Sequence, residues 1–107
     1  MYLLYYIIIM KFEWDDNKDK LNIQKHKISF DEAINIFNDK NMIIFADDRK
    51  SYFEIRCIAI GQIVKNNKSL FITVVYTDRD EITRIISARL STKKERSFYY
   101  DCNKKYN

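Results

Sequence analysis

One glycine and no proline occur in 107 residues, so the chain has little of the usual turn chemistry and nothing resembling a flexible or proline-rich linker. Glycine-rich phosphate cradles are excluded with it: there is no Walker loop, no dinucleotide fingerprint and no nucleophile elbow. A single histidine, His26, and two cysteines far apart, Cys57 and Cys102, supply no CxxC pair and no ligand set at zinc spacing. The sequence therefore predicts no cofactor and no metal, and two buried free thiols in a reducing cytosol. Long hydrophobic runs are missing too. The apolar tract at residues 1–9 lacks a basic n-region and is about half of the roughly 20 residues that span a bilayer, so no membrane association is expected.

What is present is a foldable single domain. Hydrophobic residues make up 47% and aromatic residues 15%, against 32% charged residues, which is not the pattern of a disordered chain. Splitting so short a chain would leave neither half an adequate core. A compositional break at Met10-Lys11 divides an N-terminal extension, 1–9, from a single domain, 10–107, with Met10 read as the start of the domain proper.

Along the domain, Phe12-Glu13-Trp14 reads as a short extended lead into a helix capped by Asp15 or Asp16 and running to about His26. On that helix Lys18, Asn22, Lys25 and His26 fall on one face at helical spacing, expected outward, while Trp14, Leu21 and Ile28 fall near another. Ser29 and Glu32 form a capping box that opens a second helix with Phe30, Ala33, Ile34 and Phe37 on its apolar face. Strands are predicted at 42–45, 52–60, 70–77 and 81–88, joined by segments at 61–69 and 78–80 short enough for an antiparallel meander. Thr92 and Glu95 form another capping box ahead of a C-terminal helix. The expected class is α+β: two N-terminal helices, a four-stranded antiparallel sheet and a C-terminal helix.

Charge is concentrated at the end of the chain. The formal net charge of +4 is mild, but from residue 84 onward Arg84, Arg89, Lys93, Lys94, Arg96, Lys104 and Lys105 face only Glu95 and Asp101. Arginine suits phosphate, because its planar fork donates two parallel hydrogen bonds and stays charged. Arg84, Arg89 and Arg96, with the stripe Lys18, Lys25 and His26, are thus candidates for a polyanion site, the alternative being solvent-facing charge on a sheet edge and a helix. Strict alternation from Ile82 places Arg84 and Arg89 on opposite faces, so they share a site only if the chain turns at Ala88. Glu54 and Arg56 stand as a base beside a phosphate clamp or as a cross-strand ion pair; His26 and Glu54 are the candidate proton acceptors, and Tyr99 the ring singled out for stacking on a base.

These residues carry a family resemblance. Phe12-Glu13-Trp14-Asp15, Lys18, Asn22, Lys25-His26, Ser29-Phe30-Asp31-Glu32-Ala33, Glu54, Arg56, and Arg84-Ile85-Ile86-Ser87-Ala88-Arg89 followed by Glu95-Arg96 and Tyr99 resemble the BrnT toxins of bacterial type II toxin-antitoxin pairs. The resemblance implies a RelE-like fold and an endoribonuclease that arrests translation, and the missing metal-ligand set makes that cleavage metal-independent by expectation. It also implies neutralisation by a BrnA-type antitoxin, with DNA met only indirectly through that antitoxin and a toxin dimer among the implied assemblies. On this basis His26, Glu54, Arg84 and Arg89 are the expected catalytic residues, and Lys18, Lys25, Arg56, Arg96 and Tyr99 the expected RNA-binding ones. The alternative is an inactive remnant serving as an antitoxin-binding module in operon repression. Two positions depart from the family pattern: Lys27 where a glycine is frequent, and Leu90 where an alanine is.

Overall fold

β-Branched and aromatic residues crowd the second half of the chain, and they build its sheet. The computed structural model describes residues 10–47 and 54–104. In chain order these form β1 (Lys11–Glu13), α1 (Asp16–His26), α2 (Phe30–Ala33), β2 (Ile43–Ala46), β3 (Arg56–Lys65), β4 (Lys68–Arg79), β5 (Ile82–Leu90) and α3 (Lys93–Lys104). The capping box of Ser29 and Glu32 starts α2, which tightens after Ala33 into a 3-10 turn, Ile34–Asn38. The class is α+β, but the sheet has five strands in the order β1-β5-β4-β3-β2 rather than four. The added strand is β1, which pairs parallel to β5 with Glu13 opposite Arg84. Three residues paired with a strand some seventy positions away leave no local signal, so the sequence shows only an extended segment.

The two long hairpins are also tighter than expected. β3 continues through Gly61 to Lys65 and turns at Asn66-Asn67, both at positive φ (52° and 63°), as a type I′ turn requires. Asp80 and Glu81 do the same between β4 and β5, at 49° and 69°. The sole glycine marks a close approach instead of a turn: a Cβ on Gly61 would lie 2.8 Å from the Cβ of Ile36 in the 3-10 turn. The expected beginning of β3 at residues 52–53 and the tract 1–9 lie outside the described residues.

One face of the sheet, carrying Ala59, Ile72, Val74, Tyr76, Ile85 and Ala88, packs against Ile28, Phe30, Ala33 and Ile36 to make the core. Along α1 the sequence expectation is inverted. Leu21 is 62% exposed, whereas Asn22, at the centre of the polar stripe, is 7% exposed. Its amide donates to Ala88 O (2.8 Å) and Ile28 O (2.9 Å) and accepts from Ala88 N–H (3.2 Å), completing the edge of β5 where β1 has ended. A buried asparagine thus replaces a neighbouring strand. The helix ends at Lys27, whose φ of 62° lies in the left-handed region that glycine adopts at no steric cost. Cys57 and Cys102 are free and only half-buried, not fully buried as expected. Among the described residues no helix is long and apolar enough to cross a membrane.

Candidate active site

The opposite face of the sheet carries the charge, and a β-bulge decides which charges it carries. Tyr76 pairs with Ile85 but Val75 pairs with Ser87, leaving Ile86 as one extra residue in β5. The extra residue reverses the alternation beyond it. Arg84 stands opposite Thr77 and Arg89 opposite Thr73, and these two positions of β4 share a face, so the arginines do as well. The expected turn at Ala88 is unnecessary: the strand runs through it to Leu90.

Register then assembles a row across four strands. Arg56 of β3 lies opposite Thr77 of β4, Thr77 opposite Arg84 of β5, and Arg84 opposite Glu13 of β1. Arg84 Nη1 sits 3.3 Å from Glu13 Oε1, with both side chains partly open to solvent. Beside this row Arg79 holds Glu54 through two hydrogen bonds of 2.7 and 2.6 Å, and that contact keeps the Glu54 carboxyl below its ordinary range, with Arg56 adding its charge. Glu13 and Glu54 both act electrostatically on Arg79. Arginines and carboxylates thus alternate over one end of this face. Such an array can bind a phosphodiester if the anion exchanges for a carboxylate, and it contains a carboxylate able to accept a proton.

Arg89 lies two rows away, about 13 Å along the strand at the ordinary rise per residue. Its fork is fully engaged with Glu95 (2.6 and 2.8 Å). Glu95 also accepts the Thr92 N–H, and the Thr92 hydroxyl accepts Glu95 N–H, so the expected capping box of α3 is present and fastened to β5 through Arg89. Burial works against the Glu95 carboxylate, yet the bonds from Arg89 and Thr92 prevail and hold its carboxyl below the ordinary value.

α3 crosses the other end of this face. Phe98 packs edge-on against Phe45, and Tyr99 against Phe71. Tyr99 is 2% exposed, and its hydroxyl donates to Asp39 Oδ2 (2.8 Å), the same oxygen that accepts Gln62 N–H. Burial and Asp39 together push the phenol up to about 12. A ring so enclosed cannot stack on a nucleobase; Tyr100, 52% exposed, presents the accessible ring instead. Arg96 donates to Ser91 O (2.9 Å) and, with Ser69, Phe71 and Leu90, lines a shallow hollow of about 430 Å³.

The structure therefore gathers Arg56, Arg84 and Glu54 at one end of the face and places Arg89 and Arg96 toward the other. Lys18, Lys25 and His26 lie on α1, around Asn22 by helical spacing, in the helical layer along the β5 edge. A larger hollow of about 500 Å³ lies elsewhere, between the 3-10 turn and β3, but Glu32 and Asp39 in its wall make it a poor place for phosphate. Sequence reasoning missed Glu13 and Arg79 as members of the array. Only the pairing of β1 with β5 and the length of β4 bring them in.

The described residues thus form a small α+β protein with arginines and carboxylates gathered at one end of a sheet face. Residues 14–95, more than half of the chain, match the family model described as ribonuclease toxin, BrnT, of type II toxin-antitoxin system. The chain belongs to this family. Membership brings RNA as the target and an antitoxin as the partner. No curated protein matches the chain.

Proposed function

We propose that this toxin is a metal-independent endoribonuclease whose scissile phosphate sits on Arg84, with Arg56 contributing from the next strand but one. The observation that carries the reading is the single cross-sheet row of Arg56, Thr77, Arg84 and Glu13, whose Arg84 and Glu13 side chains are partly open to solvent. RNA supplies its own nucleophile, the 2′-hydroxyl, so the protein needs a proton acceptor and fixed positive charge where the pentavalent phosphorus develops. Guanidinium groups provide that charge without a metal ion. Arg89 and Arg96 lie where flanking phosphates would run, and Lys18 and Lys25 extend positive charge along α1 for the RNA backbone. His26 and Glu54, the proton acceptors suggested by sequence, differ in setting: His26 is in the helical layer, and both oxygens of Glu54 are held by Arg79.

In the cell the reading places the protein in the cytoplasm, arresting translation until a BrnA-type antitoxin binds it, with DNA contacted through that antitoxin. An inactive remnant that merely binds antitoxin is the second reading, favoured by two ion pairs: Arg89 is spent on Glu95 and Arg84 already has a carboxylate beside it. Purified toxin incubated with single-stranded RNA decides between them. Cleavage in the presence of EDTA, leaving 2′,3′-cyclic phosphate ends, is the expected result; intact RNA together with normal growth on induction would select the remnant, and loss of cutting on chelation would overturn the metal-independent route.

A further inference from the structure

We propose that Glu13 is the general base of the cleavage, an assignment that rests on the ribonuclease reading above. Glu13 is the carboxylate aligned with Arg84 by backbone register, on the same face and across adjacent strands. The two side chains approach closest at Nη1 and Oε1, 3.3 Å apart, and Glu13 Oε2 accepts no hydrogen bond among the described residues. Glu13 is 42% exposed and Arg84 32%, so a substrate strand can reach both.

Three other carboxylates of β4, α3 and the chain before β3 are placed differently. Glu54 gives both oxygens to Arg79. Glu95 gives both to Arg89 and one of them also to Thr92 N–H. Asp78 accepts the hydroxyl of Thr83. Glu13 alone in this group combines an open oxygen with contact to an arginine that can carry phosphate.

The geometry suits the chemistry. A non-bridging phosphate oxygen bound to Arg84 at about 2.8 Å sets the adjacent ribose beside the guanidinium, and so beside a carboxylate that already touches it. Glu13 takes the proton from the 2′-hydroxyl. The freed oxygen forms a bond to phosphorus as the bond from phosphorus to the 5′-oxygen breaks. Water protonates the leaving 5′-oxygen, and Glu13 returns its proton to solvent. The products are a 2′,3′-cyclic phosphate and a 5′-hydroxyl, with no oxidant, reductant or second substrate required.

Two strands test this: an end-labelled RNA that the parent toxin cuts, and the same strand with 2′-deoxyribose at the cut. Glu13→Gln should cleave roughly 100-fold or more slowly, the usual contribution of a positioned base, while binding the deoxy-substituted strand within about threefold of the parent. Glu13→Asp should retain intermediate activity, and Glu13→Ala should recover part of its lost rate when formate is added. Parental or faster cleavage by Glu13→Gln, beside an inactive Arg84→Ala, would show that Glu13 merely screens Arg84, overturning the proposal but leaving the ribonuclease reading intact. Binding lost in step with cleavage in Glu13→Gln would assign the residue to structure and overturn it too. Full activity in both Glu13→Gln and Arg84→Ala would remove the reading together with the proposal.

Discussion

Arg84 with Glu13 and Arg89 with Glu95 are the same chemical pair with both arginines on β5, yet they are built for different work. The first is a single contact of 3.3 Å between half-exposed groups on adjacent strands. The second is bidentate, and its carboxylate is also the capping residue of α3. Opening Arg84 to phosphate disturbs one loose ion pair, of the kind worth about 0–1 kcal/mol. Opening Arg89 in the same way would also undo a helix cap. An arginine's availability is therefore set by what else depends on its partner.

The sharpest way to break this contrast is to remove each arginine in turn. Arg84→Ala should lower RNA cleavage by roughly 100-fold or more, which is about 3 kcal/mol of transition-state stabilisation, with unfolding free energy nearly unchanged. Arg89→Ala should instead cost about 1–3 kcal/mol of stability in urea unfolding, as charged hydrogen bonds do. If the two variants exchanged these behaviours, the division of labour would be reversed.

Asn22→Ala probes the edge of β5 between the two pairs. It leaves buried backbone groups of Ala88 and Ile28 without partners, and each such group costs about 1–3 kcal/mol, so thermal unfolding should move down by several degrees. Parental stability would mean that water completes this edge as well as the amide does.

Glu95 gives the contrast a pH dependence. Because its carboxyl lies below the ordinary value when folded, the unfolded chain binds that proton first on acidification. The stabilisation is complete above the unfolded carboxyl value of about 4.3 and disappears as pH falls through the folded value. Glu95→Gln should be less stable than the parent by about 1–2 kcal/mol at pH 7, with the gap closing as pH drops from 5 toward 3. A gap that stayed constant with pH would assign the loss to packing.

The smallest expected effect concerns neither pair and serves as a scaffold control. Lys27→Gly should raise stability by about 1 kcal/mol, since a left-handed backbone at that position costs a lysine what it does not cost glycine. RNA cleavage should stay unchanged.

The sequence by itself determined the elements whose causes are local. Asp15, Ser29 and Thr92 cap the three helices because each precedes a helix whose first N–H groups need an acceptor within a few residues. The stretches Phe12-Glu13-Trp14-Asp15, Lys25-His26, Ser29-Phe30-Asp31-Glu32-Ala33 and Arg84-Ile85-Ile86-Ser87-Ala88-Arg89 carried the family resemblance before any contact was known. The family's frequent glycine at position 27 acquired its reason only from the left-handed backbone found there.

Tertiary structure decided everything that depends on which distant residues become neighbours. Three residues of β1 show no strand signal until β5 is beside them, so Glu13 was invisible as a partner of Arg84. The bulge at Ile86 arises where β5 slips against β4, and only pairing reveals that it returns Arg89 to the face of Arg84. Asn22 looked like a solvent residue because its partners are backbone groups sixty-six positions away and just past the helix. Local pattern chooses the elements, since caps and periodicity act within a few residues; the site is a register between strands, and register is fixed only when the sheet assembles.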